Sequence, residues 1–341
     1  STCFTTWWTL VFAWIIRLAA AGMAEQTANH LDVGAVPPPS FWLRVWDSDV
    51  FYSFRSSKVA MVAALATAII IFLAIFAPLV APHSPYDVAT VDLMDAELPP
   101  AWDVEGDPRF LLGTDNLGRD LWSTILYGTR ISLFVGFMSV IFGLVIGVSL
   151  GLVSGYVGGY VDAFIMRVAE VQLSIPGFLI ALLLVGILRG VLSAEAYNDA
   201  VVYVLVLTIG TSIWPQFART VRGSTLVERN KEYVLAARVI GLSRFSIMLR
   251  HVLPNVMGPV LVIATINLAI AILSEATLSF LGVGVPPTEP SLGTLINEGQ
   301  NYLFSGLWWI TVFPGVVLAS LVLAVNLLGD WLRDALNPKL R

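Results

Sequence analysis

Long apolar runs separated by charged, proline-bearing connectors set the rhythm of this chain. The first run, VAMVAALATAIIIFLAIFAPLVA, starts at Val59 and is closed by Pro78 and Pro82. Further runs cover 131–153, 171–188, 201–217, 254–273 and 307–328. Each comes close to the roughly 20 apolar residues that carry a helix across a bilayer. The pattern predicts an all-α polytopic membrane protein with about six transmembrane helices.

Composition strengthens that reading, because 57% of the residues are hydrophobic and 13% charged, against roughly 25% charged in a soluble domain. The net charge of −5 says less than its distribution, since Lys and Arg stay on the cytoplasmic side. The connector after the first run is acidic, with Asp87, Asp92, Asp95, Glu97, Asp103, Glu105, Asp107, Asp115 and Asp120 against Arg109 and Arg119. It is expected outside the cell. Between the fourth and fifth runs lie Arg219, Arg222, Arg229, Lys231, Arg238, Arg244 and Arg250, so that segment is expected inside. The connector 276–306 holds Glu289 and Glu298 and no Lys or Arg, and the tail GDWLRDALNPKLR returns inside. Both termini are then cytoplasmic in a multi-pass protein of the plasma membrane.

The boundaries expected are an N-terminal extension with an interfacial segment (1–57), a first transmembrane helix (58–82), an extracytoplasmic loop (83–130), a membrane core (131–330) with a cytoplasmic loop near 219–253, and a tail (331–341). Residues 7–22 are apolar but include Arg17 and precede Met23. They read as an extra short membrane segment, a signal-like stretch, or residues ahead of a natural start at Met23. A polar lead-in with Pro37, Pro38 and Pro39 follows, then SFWLRVWDSDVFYSFRSSK, which suits an amphipathic helix at headgroup level.

EYVLAARVIGLSRFSIMLRHVLPN, from Glu232, holds the densest punctuation. Tyr233, Ala236, Ala237 and Ile240 recur at helical spacing. Gly241 suits a helix end and Ser243 the cap of a second helix, on which Phe245, Met248, Leu249 and Val252 are expected to share a face. Pro254 fits the first turn of the next span. From the residues alone this is either an ordinary basic loop beside anionic lipid or a docking element.

Ahead of the second span, FLLGTDNLGRDLWSTILYGTRISLFVG has turn chemistry at Gly113, Asp115, Asn116 and Gly118. Glu275 and Asn267 stand out as polar groups within a span. Glu275 either faces a translocation path or holds a helix end by hydrogen bonding, and Asn267 reads first as interhelical glue. Asp162, Arg167 and Glu170 suggest an internal ion pair. Gly143, Gly147, Gly151 and Gly155 form a stripe that permits close helix packing.

Cys3 and the scattered His30, His83 and His251 offer no disulfide framework and no metal cluster. The sequence holds no GxxxxGK[ST] loop, so ATP is not expected to bind here. No nucleophile and base pair is suggested, and nothing points to nucleic acid. A polytopic membrane enzyme or a stand-alone secondary transporter, which would need ionisable groups near mid-membrane, are the alternatives to a transport subunit.

AARVIGLSRFSIMLRHVLP resembles the EAA loop of ABC-transporter permeases. Ala236, Ala237, Gly241, Leu253 and Pro254 match that pattern, while Leu235 replaces its acidic residue and His251 its isoleucine. LGTDNLGRD followed by YGTRISL, ILSEATLSFLGVG and the tail resemble the dipeptide and oligopeptide permeases of the DppC/OppC type, so the likeness runs from Lys58 to Arg341. It implies the type I ABC importer permease fold, with Gly113, Thr114, Asp115, Leu117, Gly118, Arg119 and Asp120 as the family's entry motif. It also implies that Glu232, Tyr233, Ala236, Ala237, Gly241, Leu242, Ser243, Arg244, His251, Leu253 and Pro254 belong to a loop that couples to an ATPase. The expected partners are a second, non-identical permease, two ABC ATPase subunits or domains holding ATP and Mg, an extracytoplasmic solute-binding protein and the lipid bilayer. This chain itself is expected to bind no cofactor and no metal. Peptides are the cargo implied, with nickel, glutathione or other small solutes open.

Overall fold

The computed structural model describes residues 49–86 and 92–336 of the chain. The expectations for the N-terminal extension up to residue 48 and for the end of the tail, 337–341, lie outside the described residues.

Helix α1 (Asp49–Ser56) is short and brings Phe54 edge-on to Trp331 at 5.1 Å. Ser57 caps α2 (Lys58–Ile75) by accepting from the Ala60 amide at 3.2 Å. The helix stops at Phe76 instead of running to residue 82, and Pro78 opens the single turn α3 (Ala77–Val80). Proline lacks the N–H that would continue the ladder but suits a first turn.

Helix α4 (Leu121–Val157) has 37 residues and rises about 55 Å, well beyond a hydrocarbon core of about 30 Å. It starts at Leu121 because Asp120 accepts from the Ser123 amide at 3.0 Å. Residues 121–130 therefore belong to this helix and not to the preceding loop.

The expected span 171–188 is not one helix. The chain forms α5 (Gly159–Leu173) and α6 (Gly177–Val191), which meet at 92°. Pro176 explains the break, since the residue before a proline is pushed out of helical geometry. The bend is tied to α7 (Ala194–Glu228), which contains Pro215. Pro215 cannot donate to Thr211 O, and Gln172 Nε2 of α5 does so instead at 2.6 Å, while Gln172 Oε1 accepts from Trp214 Nε1 at 2.9 Å.

Helix α7 runs to Glu228, so Arg219 and Arg222 lie on it and not in a loop. Then come α8 (Glu232–Val239), α9 (Arg244–Ile247), a π turn (Met248–Val252), α10 (Leu253–Phe280), α11 (Leu292–Gln300) and α12 (Trp309–Ala335). Among the described residues five helices are long and apolar enough to span, and the bent pair, counted as one span, makes a sixth. That agrees with the six apolar runs. Among the described residues the only β pairing is the bridge of Thr114 with Asp120.

The most extensive packing joins α4 to α7 along the glycine stripe. A Cβ on Gly143 would lie 2.6 Å from Ile213 Cγ1, and one on Gly155 2.7 Å from Thr225 Cβ. Both are closer than van der Waals contact allows. Backbones approach this closely only where side chains are absent, and close approach is how helices associate in lipid. The main core lies around this seam, with Val135, Leu205, Ile209, Phe217 and Val221 buried beside Val234, Ile247, Val252 and Val256.

Candidate functional site

One end of the bundle is built by the segment between α7 and α10. Helix α8 ends in a Schellman turn: Gly241 N donates to Arg238 O and Leu242 N to Ala237 O, both at 3.1 Å. Gly241 has φ +83°, the left-handed geometry that glycine adopts without strain. Ser243 then caps α9 by accepting from the Ser246 amide at 3.2 Å. Pro254 sits in the first turn of α10, which follows the π turn without a gap.

The expected faces are divided differently. Val234 and Ala237 are the buried residues of α8, and Ile247, Met248 and Val252 carry the burial after Ser243. Ile240 is 74% exposed and Phe245 69%. Ala236 and Leu249 also point outward, as do Leu235, Val239 and Leu242. A short helix whose outer side is also apolar has two faces of the same period, and periodicity alone does not say which one meets the chain's own core. The outward set, with the exposed Arg244 and Arg250, is an apolar and basic surface that the described residues leave uncovered.

Cations bind this segment to its neighbours. Arg229 Nη1 donates to Gly155 O at 2.8 Å, at the C-terminal end of α4, where unpaired carbonyls attract positive charge. Arg238 lies over the Tyr156 ring at 5.3 Å. Arg222 holds Asp162 through Nε and Nη2 at 2.5 and 2.7 Å. The internal pair expected around Asp162 exists, but its cation comes from α7, while Arg167 and Glu170 pair separately at 3.5 Å on the surface. Tyr233 donates its hydroxyl proton to Glu228, and Asn255 Nδ2 donates to the Tyr233 hydroxyl at 3.1 Å and to the His251 carbonyl at 2.7 Å. Burial, followed by the Glu228 hydrogen bond, holds the Tyr233 hydroxyl well above the ordinary tyrosine range.

The opposite end of α4 carries LGTDNLGRD. Thr114 is buried, with its N–H on Leu98 O at 3.0 Å and its Oγ1 on Asp95 O at 2.6 Å. Asp115 Oδ1 accepts from the amides of Leu117 and Arg119, both at 2.9 Å. Gly118 has φ +79°, and a Cβ there would run into Asp92 O. These contacts aim Arg119 inward. Its Nε donates to Asp115 Oδ2 at 2.6 Å, its Nη1 to Pro287 O at 3.0 Å and its Nη2 to Glu298 Oε2 at 3.2 Å. Gly113, Leu117 and Asp120 complete the turn and the cap. The motif is therefore a clamp between the start of α4 and helix α11, and α11 is held in turn by Asn297 Nδ2 on Phe280 O at 2.6 Å. No signal near Arg119 in the sequence pointed to Glu298 as its partner.

Glu275 is fully buried near the end of α10. Its Oε1 accepts from Ser279 Oγ at 2.8 Å, and Ser279 Oγ accepts from the Val285 amide at 3.2 Å. The carboxylate thus braces the turn that follows the helix, with Ser132 and Ser291 also facing it. Asn267, also fully buried, donates to Ile263 O at 3.0 Å.

Comparison with known proteins matches residues 147–341 to a family described as binding-protein-dependent transport system inner membrane component. Residues 40–100 match the N-terminal TM domain of oligopeptide transport permease C. The chain is 39% identical over 293 residues to the dipeptide transport system permease protein DppC of Haemophilus influenzae, covering 86% of this chain and 95% of that protein. It is 41% identical over 323 residues to DppC of Escherichia coli K12, covering 94% and 100%. With the oligopeptide transport system permease protein OppC of Bacillus subtilis it shares 37% identity over 299 residues, covering 88% and 91%.

Proposed function

Because the chain belongs to the family of binding-protein-dependent transport system inner membrane components, we propose that it forms half of the pathway through which an ATP-driven importer takes up di- or oligopeptides. As a permease of this family it is a multi-pass membrane component of transport and not the catalytic subunit. ATP and Mg belong to partner ATPase subunits. The full assembly has a second, non-identical permease beside this one, two ATPase subunits or domains, and an extracytoplasmic solute-binding protein that delivers peptide. Both termini of this chain face the cytoplasm, at the end where the cations gather.

The observation that carries this reading is the uncovered apolar and basic surface of α8 and α9. An exposed apolar set on a short helix with charged edges suits insertion into a groove of a partner. Docked there, Val239, Ile240 and Phe245 lie against the ATPase. Closure of the ATPase pair then pushes α8, whose other side is packed on the core through Val234 and Ala237, and the spans shift between two arrangements. Glu275 and Asn267 meet the cargo only in an arrangement that parts the outer end of α10, since both are enclosed in the present one.

The test is a photo-cross-linker placed on Val239→Cys in a Cys3→Ser chain co-expressed with its ATPase and second permease. The expected result is an adduct with the ATPase, and ATP-dependent peptide uptake by proteoliposomes of the complex. Full uptake by the isolated chain, or an adduct with lipid alone, overturns the reading.

A further inference from the structure

Helix α8 is joined to its neighbours by two short links, Arg229–Lys231 on one side and Ile240–Ser243 on the other. Covalent continuity through such links does not fix an angle, so a push on α8 could be taken up within them. The core side of α8 is smooth, with Val234 and Ala237 providing the burial. Among the described residues, the side-chain hydrogen bonds from α8 to another helix all come from Tyr233.

The donor roles there follow from chemistry. Asn255 Nδ2 only donates, and it gives its two protons to His251 O at 2.7 Å and to the Tyr233 hydroxyl at 3.1 Å. The hydroxyl has one proton of its own. That proton goes to Glu228 Oε2 at 2.5 Å, while His251 O stands at 3.4 Å. Glu228 Oε1 is occupied by Lys231 Nζ at 2.6 Å. Glu228 ends α7, Asn255 lies in the first turn of α10, and His251 O belongs to the π turn between α9 and α10. One hydroxyl therefore touches the end of the incoming span and the start of the outgoing one.

We infer that Tyr233 is a positioning residue for coupling: its hydroxyl locks α8, the end of α7 and the start of α10 into one unit, so that displacement of α8 reaches both spans. The inference rests on the docking role proposed for α8 and adds to it the element that passes the motion on. The phenyl ring alone would preserve packing and docking, and the hydroxyl alone is responsible for the transfer.

The experiment compares Tyr233→Phe, Asn255→Ala and the double variant as complete complexes in proteoliposomes, reading the ATP hydrolysed per peptide imported. Cross-linking from Val239→Cys to the ATPase is read in the same samples. Tyr233→Phe is expected to keep the cross-link and ATP hydrolysis while the ratio rises about five-fold, as loss of one hydrogen-bonded link predicts. The double variant should be no worse than the worse single one, because both act through one network. A wild-type ratio with the cross-link intact overturns the inference, and so does an additive double variant. If Tyr233→Phe loses the cross-link together with transport, the hydroxyl serves docking and the inference is again wrong. Absence of the cross-link in the otherwise unmodified complex instead overturns the docking role itself.

Discussion

The two ends of α4 solve opposite problems. At its start, Arg119 is 5% exposed and Asp115 fully enclosed, and the guanidinium spends its donors on Asp115, Glu298 and Pro287. Arg119, Asp115 and Glu298 are thus paired with one another inside the chain. At the other end, Val239, Ile240 and Phe245 stand exposed on helices only eight and four residues long. The difference is that Arg119 and its two carboxylates satisfy one another within the chain, whereas the proposed docking end carries cations and apolar groups that the described residues do not cover. Internal pairing suits a structural element, and exposed apolar surface suits the partner contact proposed for α8 and α9.

Three changes would break or sharpen that contrast. The largest effect is expected at the clamp, where Arg119→Ala strands two enclosed carboxylates. Removing one partner of a buried pair costs about 3–5 kcal/mol, so the thermal unfolding midpoint of the detergent-purified complex should drop clearly. An unchanged midpoint would show that the clamp is not a stabilising unit.

The second effect depends on pH. Burial pushes the Glu298 carboxyl up to about 7, Arg119 opposes this, and Asp115 adds to it. A carboxyl whose folded pKa exceeds its unfolded value near 4.5 binds its proton more tightly when folded. Its contribution is therefore fully present below about 4.5 and is lost as pH rises to about 7, at no more than about 1.4 kcal/mol per pH unit. Stability of Glu298→Gln, measured against the unmodified complex from pH 4.5 to 8, should lack this decline. Parallel curves would exclude Glu298 as its source.

The smallest change in stability is expected at the docking end, and there it should be separated from function. A Cβ at Gly241 would meet nothing within 4 Å, so Gly241→Val acts through the left-handed backbone alone, at a cost of roughly 1–2 kcal/mol. Insertion and folding should survive while peptide import falls relative to ATP hydrolysis. Reconstituted transport at the unmodified level would mean that the angle between α8 and α9 does not matter.

Local features were readable in the sequence, and distant partnerships were not. The apolar runs located the spans, Gly241 and Ser243 marked the joint and cap, and Gly113 and Gly118 marked turns, because each depends on a residue's own geometry. The break before Gly177 had a signal in Pro176 but was hidden by the apolar residues around it. Arg119 with Glu298 and Arg222 with Asp162 join residues 179 and 60 positions apart, and no local pattern encodes such pairs. Which apolar residues of α8 and α9 meet the chain's own core was not legible, because an exposed side chain there is as apolar as an enclosed one.

The π turn at Met248–Val252 has a rotational consequence. A π turn holds more residues than an α turn, and one residue of helix corresponds to about 100° around the axis. The side chains of Arg244–Ile247 are therefore indexed about one residue away from where an unbroken helix continuing from α10 would put them. That offset helps decide that Ile247 is enclosed while Phe245 is 69% exposed. The turn works like a keyway on a shaft, setting the angular phase at which the docking end is mounted on its span. Altering its length by a single residue would re-index every side chain beyond it without changing any of their identities.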